Sequence, residues 1–250
     1  MAKRKELVEK SMNSKIVSLK SNSQSGSKGT ILVVCAHSDD QVIGPGGAMA
    51  KYAREGYDVF TIIFSYGEGS HPHMKLSYVA KTRVLESKEA DAIIGGKGVM
   101  FLALKDGHMK EDFTNKKMMD RFKRLLASYK PCKIFTHSID DLFPDHRFVR
   151  EIVLEACDSL SRKNIIDPEI YSFDIWNLWS LRKRTEPKLV VDISDTFKYK
   201  IRALHTFKSQ INFFSHTILV NVLYLLVYVK AFINGKKYGF KTAEVFYKIR

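Results

Sequence analysis

Residues 31–47, ILVVCAHSDDQVIGPGG, contain the pattern that decides the fold. The apolar run from Ile31 to Cys35 is typical of a buried β-strand. It leads directly into His37, Asp39 and Asp40, and glycines follow. A histidine and two adjacent acids cost free energy at the end of a buried strand unless they are paired or bind an ion. The stretch therefore predicts a strand with a polar site at its carboxyl end.

Strand and helix patterns alternate along the rest of the chain. Apolar runs predict strands at 30–36, 57–64, 98–104, 133–137, 169–175 and 189–194. Helices are predicted between them at 46–56, 77–96, 115–129 and 146–160, with two more at the C-terminal end. This alternation predicts one α/β domain with a mainly parallel, Rossmann-like sheet and helices on both faces.

Polar residues follow four of the predicted strands at the same end. They are His37, Gly67, Asp106 and His137. In open parallel sheets the ligand site lies beyond the carboxyl ends of the strands. We therefore expect these positions to converge on one rim of the sheet.

The charge of the chain is concentrated at its two ends. The formal net charge is +14, and residues 1–29 hold seven Lys or Arg against two Glu. Residues 230–250 hold six against one. We interpret 1–29 as a basic extension and linker and 30–250 as the folded domain. No basic stripe interleaved with aromatic residues is present, so nucleic acid is not an expected partner. The basic tails allow contact with an anionic membrane surface, and they equally serve solubility.

The cysteine pattern and the apolar segments bear on the location of the protein. Cys35, Cys132 and Cys157 are far apart in apolar contexts, which is typical of a reducing compartment. No signal-peptide pattern is seen, so we expect a cytoplasmic protein. Segment 211–234 is apolar, but it reaches the roughly 20 residues of a membrane span only by including polar side chains. A helix packed on the domain is the preferred interpretation, and membrane association the alternative. A homo-oligomer is left open.

Two clusters could together hold a metal ion. His37 and Asp40 flank a short turn, and FPDHR (143–147) offers Asp145 and His146 after the fourth strand. Two imidazoles and one carboxylate, from His37, Asp40 and His146, are the donor set of a catalytic zinc site with an open position. Asp39 would then be free to take a proton from water. The alternative is that the acids only cap a helix and that His146 lies at a helix N-terminus.

AHSDDQVIGPGG resembles the AHPDDE signature of the PIG-L/LmbE-type deacetylases, zinc enzymes that remove acetyl groups from N-acetylglucosamine. The resemblance extends over about residues 30–247, in the same order as the family's motifs. The further matches are SYGEGS (65–70), RVLESKEADAIIG (83–95), FLALKDGHM (101–109), FTHSIDDLFPDHR (135–147), KIRALHTFKSQ (200–210) and NGKKYGFKTAEVF (234–246).

The resemblance implies roles for individual residues. His37, Asp40 and His146 would bind Zn²⁺, and Asp39 would be the general base. The substrate would be a small-molecule amino sugar, whose acetamide is hydrolysed to acetate and a free amine. Arg83 and Asp106 would bind sugar hydroxyls. Asp145 would orient a histidine ligand.

The sequence departs from the family pattern at three positions. Ser38 replaces a proline, which should loosen the turn, and Gln41 replaces a glutamate near the metal ligands. Phe143 replaces a histidine that is thought to stabilise the oxyanion or donate a proton. We expect His137 to be the replacement catalytic group, and the other candidates are His71, His73 and His108.

The departures at positions 41 and 143 keep a second interpretation open. The chain would then be a family member that has lost hydrolysis and serves as a sugar-binding module. A third interpretation is an iron oxygenase with two histidines and one carboxylate. The alternation of strands and helices disfavours it, since such sites usually occur on β-sandwich barrels.

Overall fold

The computed structural model describes residues 26–70, 73–114, 116–175, 184–211 and 217–250. Side chains are described for these ranges except at 116–117, 211 and 217–221. Most of the predicted N-terminal extension, and His71, lie outside the described residues.

Seven strands form one sheet in the order β3-β2-β1-β4-β5-β7-β6 within the described residues. All neighbouring pairs from β3 to β5 are parallel, and β7 is antiparallel to both β5 and β6. The strands are β1 Thr30–Cys35, β2 Asp58–Ser65, β3 Gly98–Leu104, β4 Pro131–His137, β5 Glu169–Phe173, β6 Lys188–Asp192 and β7 Ala243–Lys248.

Helices connect the strands and cover both faces of the sheet. One face packs on an apolar cluster that includes Val149 and Leu126, and the other on a cluster that includes Ile94 and Val227. The helices are α1 Asp40–Ile43, α2 Gly46–Arg54, α3 Leu76–Ile94, α4 Met109–Phe113, α5 Lys116–Tyr129, α6 Pro144–Ser161, α7 Phe197–Leu204, α8 Lys208–Ile211 and α9 Thr217–Tyr238. A 3₁₀ turn spans Glu68–Ser70.

Strand β1 lies at the centre of the molecule. Ile31, Val33 and Cys35 point into one apolar cluster, and Leu32 and Val34 point into the other. All five side chains are fully buried. Because alternate side chains face opposite sides of a strand, only an uninterrupted apolar run can fill both clusters. The predicted mainly parallel sheet with helices on both faces is confirmed.

Strand β7 is the strand, among the described residues, that the sequence patterns did not predict. It inserts between β5 and β6, with Val245 opposite Val190. Its pattern is broken by Glu244, a buried acid at a position where a strand facing the interior would carry an apolar residue. The partner of that acid is distant in sequence, so local periodicity could not reveal the strand.

Helix α9 corresponds to the apolar segment 211–234. Its described inner side chains Leu223, Tyr224, Val227 and Ala231 are buried against the domain. This packing agrees with the preferred interpretation of the segment. Among the described residues, no helix has the length and apolar character required to cross a membrane.

A buried ion pair joins β7 to the start of α2. The carboxylate of Glu244 accepts hydrogen bonds from the backbone N–H groups of Gly47 and Ala48 at 3.0 and 2.7 Å. Lys200 Nζ lies 2.5 Å from Glu244 Oε1 and donates to the carbonyls of Ile43 and Gly44 at 2.8 Å. The pair thus satisfies backbone groups on both sides of the turn between α1 and α2.

The Glu244→Gln substitution should destabilise the fold, because the Lys200 ammonium stays buried without its counter-ion. Breaking one side of a buried pair costs about 3–5 kcal/mol. Glu169→Gln is the matched control, since Glu169 pairs with Lys133 and Lys248 on the partly exposed surface and such pairs contribute about 0–1 kcal/mol each. Free energies of unfolding in urea would measure both. Equal losses of unfolding free energy would show that the buried pair contributes no more to stability than the surface pairs.

Candidate metal centre

The candidate site lies where the strand order reverses. From β1 the chain proceeds through β2 to β3 on one side and then returns to place β4 on the other side of β1. Such a reversal leaves a crevice at the carboxyl ends of the two central strands. His37 follows β1, Asp40 begins α1, and His146 lies in the first turn of α6. These three predicted ligands are brought together.

Three atoms of these residues form a compact triangle. His37 Nδ1 lies 3.2 Å from His146 Nε2. Each of these nitrogens lies 3.6 Å from Asp40 Oδ2. Donors bound tetrahedrally at about 2.0–2.1 Å from a zinc ion are roughly 3.4 Å from each other. The triangle therefore has the size that a zinc ion requires.

The described residues contain two other groups of potential ligands that share members with this one. They are His137, Asp141 and His146, and His37, Asp106 and Asp145. The group of His37, Asp40 and His146 fits a metal best, because the outer nitrogens of both imidazoles are already held by other carboxylates. His146 Nδ1 lies 2.9 Å from Asp141 Oδ1, and His37 Nε2 lies 3.1 Å from Asp106 Oδ1.

These outer contacts refine the predicted roles of two acids. Asp145 was expected to orient a histidine, and its Oδ2 lies 3.7 Å from His37 Nε2, while it also accepts a hydrogen bond from Gly107 N at 3.2 Å. Asp141 and Asp106 make closer contacts with the two imidazoles, at 2.9 and 3.1 Å. Carboxylates in this position fix the orientation of a ligating histidine and raise its basicity. Asp106 thus supports His37, a role not foreseen beside sugar binding.

The role of Asp141 was not predicted, because the sequence alone does not distinguish Asp141 from Asp140. Asp140 and Asp141 are adjacent, and neither has ligand spacing to His146. In the structure Asp141 is buried and also accepts from the backbone of Phe143 and Ile175, whereas Asp140 pairs with Arg184 at 2.9 Å.

The charges at the centre stabilise one another. Burial alone would raise the pKa of Asp40, but the imidazoles around it, His146 above all, hold that pKa well below its ordinary value. Burial alone would lower the pKa of His37, but its carboxylate neighbours, Asp106 above all, raise it well above the ordinary value. The site thus favours an ionised carboxylate beside the imidazoles.

Asp39 is not a member of the triangle. Its Oδ1 accepts a hydrogen bond from Arg83 Nη2 at 3.0 Å, and Arg83 is buried. Arg83 is therefore not an exposed residue of the helix surface, and its expected contact with sugar hydroxyls stays untested. Arg83 instead holds the neighbouring acid in place.

The glycine turn after β2 makes room for these contacts. Gly67 has φ +68°, and a Cβ there would lie 2.8 Å from the Arg83 guanidinium carbon. A Cβ at Gly69 would lie 2.9 Å from Asp106 Oδ2, to which the Gly69 N–H donates at 3.0 Å. Any larger residue would displace the groups that support Asp39 and His37.

The predicted catalytic role of His137 does not fit its position. The side chain is fully buried and stacks on His146 with ring centroids 4.0 Å apart. Its Nε2 accepts a hydrogen bond from Ala36 N at 3.0 Å, and burial together with His146 lowers its pKa to about 4. An oxyanion donor must reach the substrate, and the buried His137 ring does not. His137 instead supports the centre by packing against the ring of His146.

Two of the other candidate histidines lie within the described residues. His73 and His108 are exposed, and His108 Nδ1 lies 3.8 Å from Glu111 at the start of α4. Phe143 is 44% exposed, and its ring centroid lies 5.4 Å from that of His146. Position 143 thus stands beside the triangle with an apolar ring.

The two remaining departures have different consequences. Ser38 was expected to loosen the turn, yet its hydroxyl donates to Tyr66 O at 3.0 Å and its carbonyl accepts from Ser87 at 2.7 Å. Two hydrogen bonds thus hold the turn, and the expected loosening relative to proline stays a prediction. Gln41 is fully buried, and its side-chain amide has no hydrogen-bond partner among the described residues.

A cavity of about 390 Å³ lies elsewhere, between α9 and strands β5 and β7. Its walls include Phe173, Leu226 and Tyr247, and the three triangle residues do not line it. The candidate metal ligands therefore lie outside this cavity.

Comparisons with known proteins find both deacetylases and hydratases. The chain is 29% identical over 132 residues to 4-oxalmesaconate hydratase of Pseudomonas putida, and the match covers 50% of each chain. The chain therefore spans about half the length of this curated relative.

Solved structures share the fold across most of the chain. The 4-carboxy-2-hydroxymuconate hydratase GalB of Pseudomonas putida KT2440 has a TM-score of 0.75 at 22% identity, over 89% of this chain and 96% of that one. The N,N'-diacetylchitobiose deacetylase of Pyrococcus horikoshii has a TM-score of 0.71 at 21% identity, over 96% and 92%. Residues 32–157, about half of the chain, match the family described as PIG-L, GlcNAc-PI de-N-acetylase, and the chain belongs to this family.

Proposed function

We propose that the protein is a zinc-dependent N-deacetylase that hydrolyses the acetamide of an N-acetylglucosamine-containing sugar or glycoconjugate. The observation that carries the proposal is the triangle of His37, Asp40 and His146, 3.2–3.6 Å on each side, with the Asp39 carboxylate held outside it. Family membership supports the reaction class.

A zinc ion held by the triangle would supply Lewis acidity, which polarises an amide carbonyl and makes water a better nucleophile. The residues of the chain perform the remaining tasks. Asp39 accepts the proton of the attacking water and later delivers a proton to the departing nitrogen. Arg83 keeps the Asp39 carboxylate in a single orientation through the 3.0 Å hydrogen bond. Asp141 and Asp106 orient the two imidazoles from behind.

The rim offers contacts for a sugar. Asp106 and Asp145 each keep 18% of their side-chain surface exposed beside His37, so both remain available to hydroxyl groups. Phe143 presents an exposed ring next to His146, and an apolar ring can pack against the C–H face of a pyranose.

A second candidate function is the addition of water to a carbon–carbon double bond. The observation that favours it is the 29% identity to a hydratase over 132 residues. The lack of an imidazole at position 143 points the same way, since amide hydrolysis needs stabilisation of an oxyanion. Water activated beside Asp39 would serve either reaction.

The test is incubation of the zinc-loaded protein with a panel of N-acetylglucosamine compounds, in which acetate and free amine are measured together. Equimolar release of both supports the proposal. Binding without release would favour the sugar-binding module. Turnover of an unsaturated dicarboxylate alone, followed by loss of its ultraviolet absorbance, would favour the hydratase.

Zinc affinity should depend on the buried acid behind His146. Asp141→Asn should weaken zinc binding about 10–100-fold, because the amide no longer fixes the imidazole. Asp145→Asn is the matched control and should change affinity little. Competition with a chromogenic chelator measures both. A larger effect at Asp145 would show that the supporting contacts are assigned to the wrong acid.

The adjacent acids should have separate roles. Asp39→Asn should keep zinc and lower turnover by about 10²–10⁴-fold, because an amide cannot accept the proton of water. Asp40→Asn should lose zinc, as should His37→Ala and His146→Ala. Elemental analysis and acetate release on the same samples decide the matter, and identical behaviour of the two Asn variants would contradict this division.

Restoring an imidazole at position 143 should accelerate hydrolysis. Phe143→His places a donor beside His146, and one such donor contributes about 10²–10³-fold in turnover. We expect kcat to rise with little change in KM. Phe143→Leu, which is apolar like phenylalanine, is the control. No gain from histidine in a zinc-loaded protein would show that the oxyanion is stabilised elsewhere.

A further inference from the structure

Helix α9 is apolar on two opposite sides, and the domain buries only one of them. On the other side Phe232 touches the Phe197 ring, with centroids 5.7 Å apart, and Val229 and Ile233 border the cavity beneath the helix. The outer side carries Val222, Leu225, Val229, Phe232 and Ile233, which expose between 40% and 62% of their surfaces. We call these five residues the outer row. Scattered apolar side chains are normal on a protein surface, whereas a contiguous group marks an interaction site.

The outer row forms a continuous strip along the helix. Val222, Leu225, Val229 and Phe232 follow one another at intervals of three or four residues, which places them on one helical face. The strip is about 15 Å long. A helix that is apolar all round is normally buried all round, so the outer row requires a covering partner.

The charges around the strip indicate what that partner is. The sequence contains no Asp or Glu from 212 to 243. Lys236 and Lys237 are exposed at the C-terminal end of α9, and the exposed Lys241 follows the helix. A second copy of the helix would bring lysines without acids to pair with them. The N-terminal extension is itself basic.

We propose that the outer row and these lysines dock the protein on an anionic phospholipid surface, with α9 lying in the plane of the membrane. Apolar side chains enter the boundary between head groups and acyl chains, and lysines pair with lipid phosphates. Phe232 and Phe240 are exposed aromatic rings at the end of the helix that carries the lysines. The inference is independent of the reaction proposed above.

The experiment is co-sedimentation of the full chain with vesicles of phosphatidylcholine, alone or mixed with phosphatidylglycerol. The expected result is binding to the mixed vesicles, weakened by salt. Leu225→Glu/Phe232→Glu should reduce partitioning about tenfold or more, because both side chains lose their place in the apolar layer. Leu85→Glu, the same change at an exposed leucine of α3, should leave it unchanged.

Further measurements make the outcome decisive. Lys236→Gln/Lys237→Gln should lower binding and its salt dependence while the outer row stays intact. Circular dichroism checks folding, and the milder Leu225→Ser replaces the double variant if that one unfolds. Failure of the wild type to bind mixed vesicles would overturn the proposal, and so would unchanged binding of the outer-row variants. Sedimentation equilibrium showing a dimer that Leu225→Glu dissociates would instead assign the row to a second copy.

Discussion

The carboxylate of Asp40 is the group on which the rest of the site depends. It accepts the backbone N–H of His37 at 2.8 Å and lies within 3.3–3.6 Å of three imidazoles. A buried ionised carboxylate is costly unless hydrogen bonds and opposite charges surround it. The surrounding imidazoles stabilise it here, and a divalent cation would do so more strongly. The same arrangement that stabilises the buried carboxylate therefore suits this site to bind a divalent cation.

The fold supports this group from several directions. Strand β1 ends immediately before the residues of the site, and the stacked rings of His137 and His146 pack next to the Asp40 carboxylate. Arg83 reaches the rim from α3 across a turn that tolerates only glycine at position 67. The Lys200–Glu244 pair holds the chain immediately after α1, the short helix that begins at Asp40. Segments that are distant in sequence thus meet at the candidate site.

The parallel part of the fold could be predicted because its information is local. An uninterrupted apolar run such as Ile31–Cys35 indicates a strand buried on both faces, and the residues after it fall on the functional rim. Strand β7 could not be predicted, because its pattern depends on Glu244 meeting a lysine more than forty residues away.

The candidate site likewise contains residues that the sequence could predict and residues that it could not. His37, Asp40 and His146 are brought together as the spacing and the family resemblance indicated. The supporting acids could not be assigned, because the choice between Asp140 and Asp141 depends on which side chain the loop turns inward. His137 was placed on the correct rim, but a sequence does not tell that its ring stacks beneath His146 and does not face the substrate.

The central claim is that two imidazoles and one carboxylate bind a metal at the end of β1. X-ray absorption at the zinc edge of the loaded protein tests it most directly. We expect a shell of nitrogen and oxygen donors at about 2.0–2.1 Å, with scattering from two imidazoles and none from sulfur. His146→Ala should remove one imidazole contribution. A sulfur ligand, or an imidazole signal unchanged in both His37→Ala and His146→Ala, would contradict the claim.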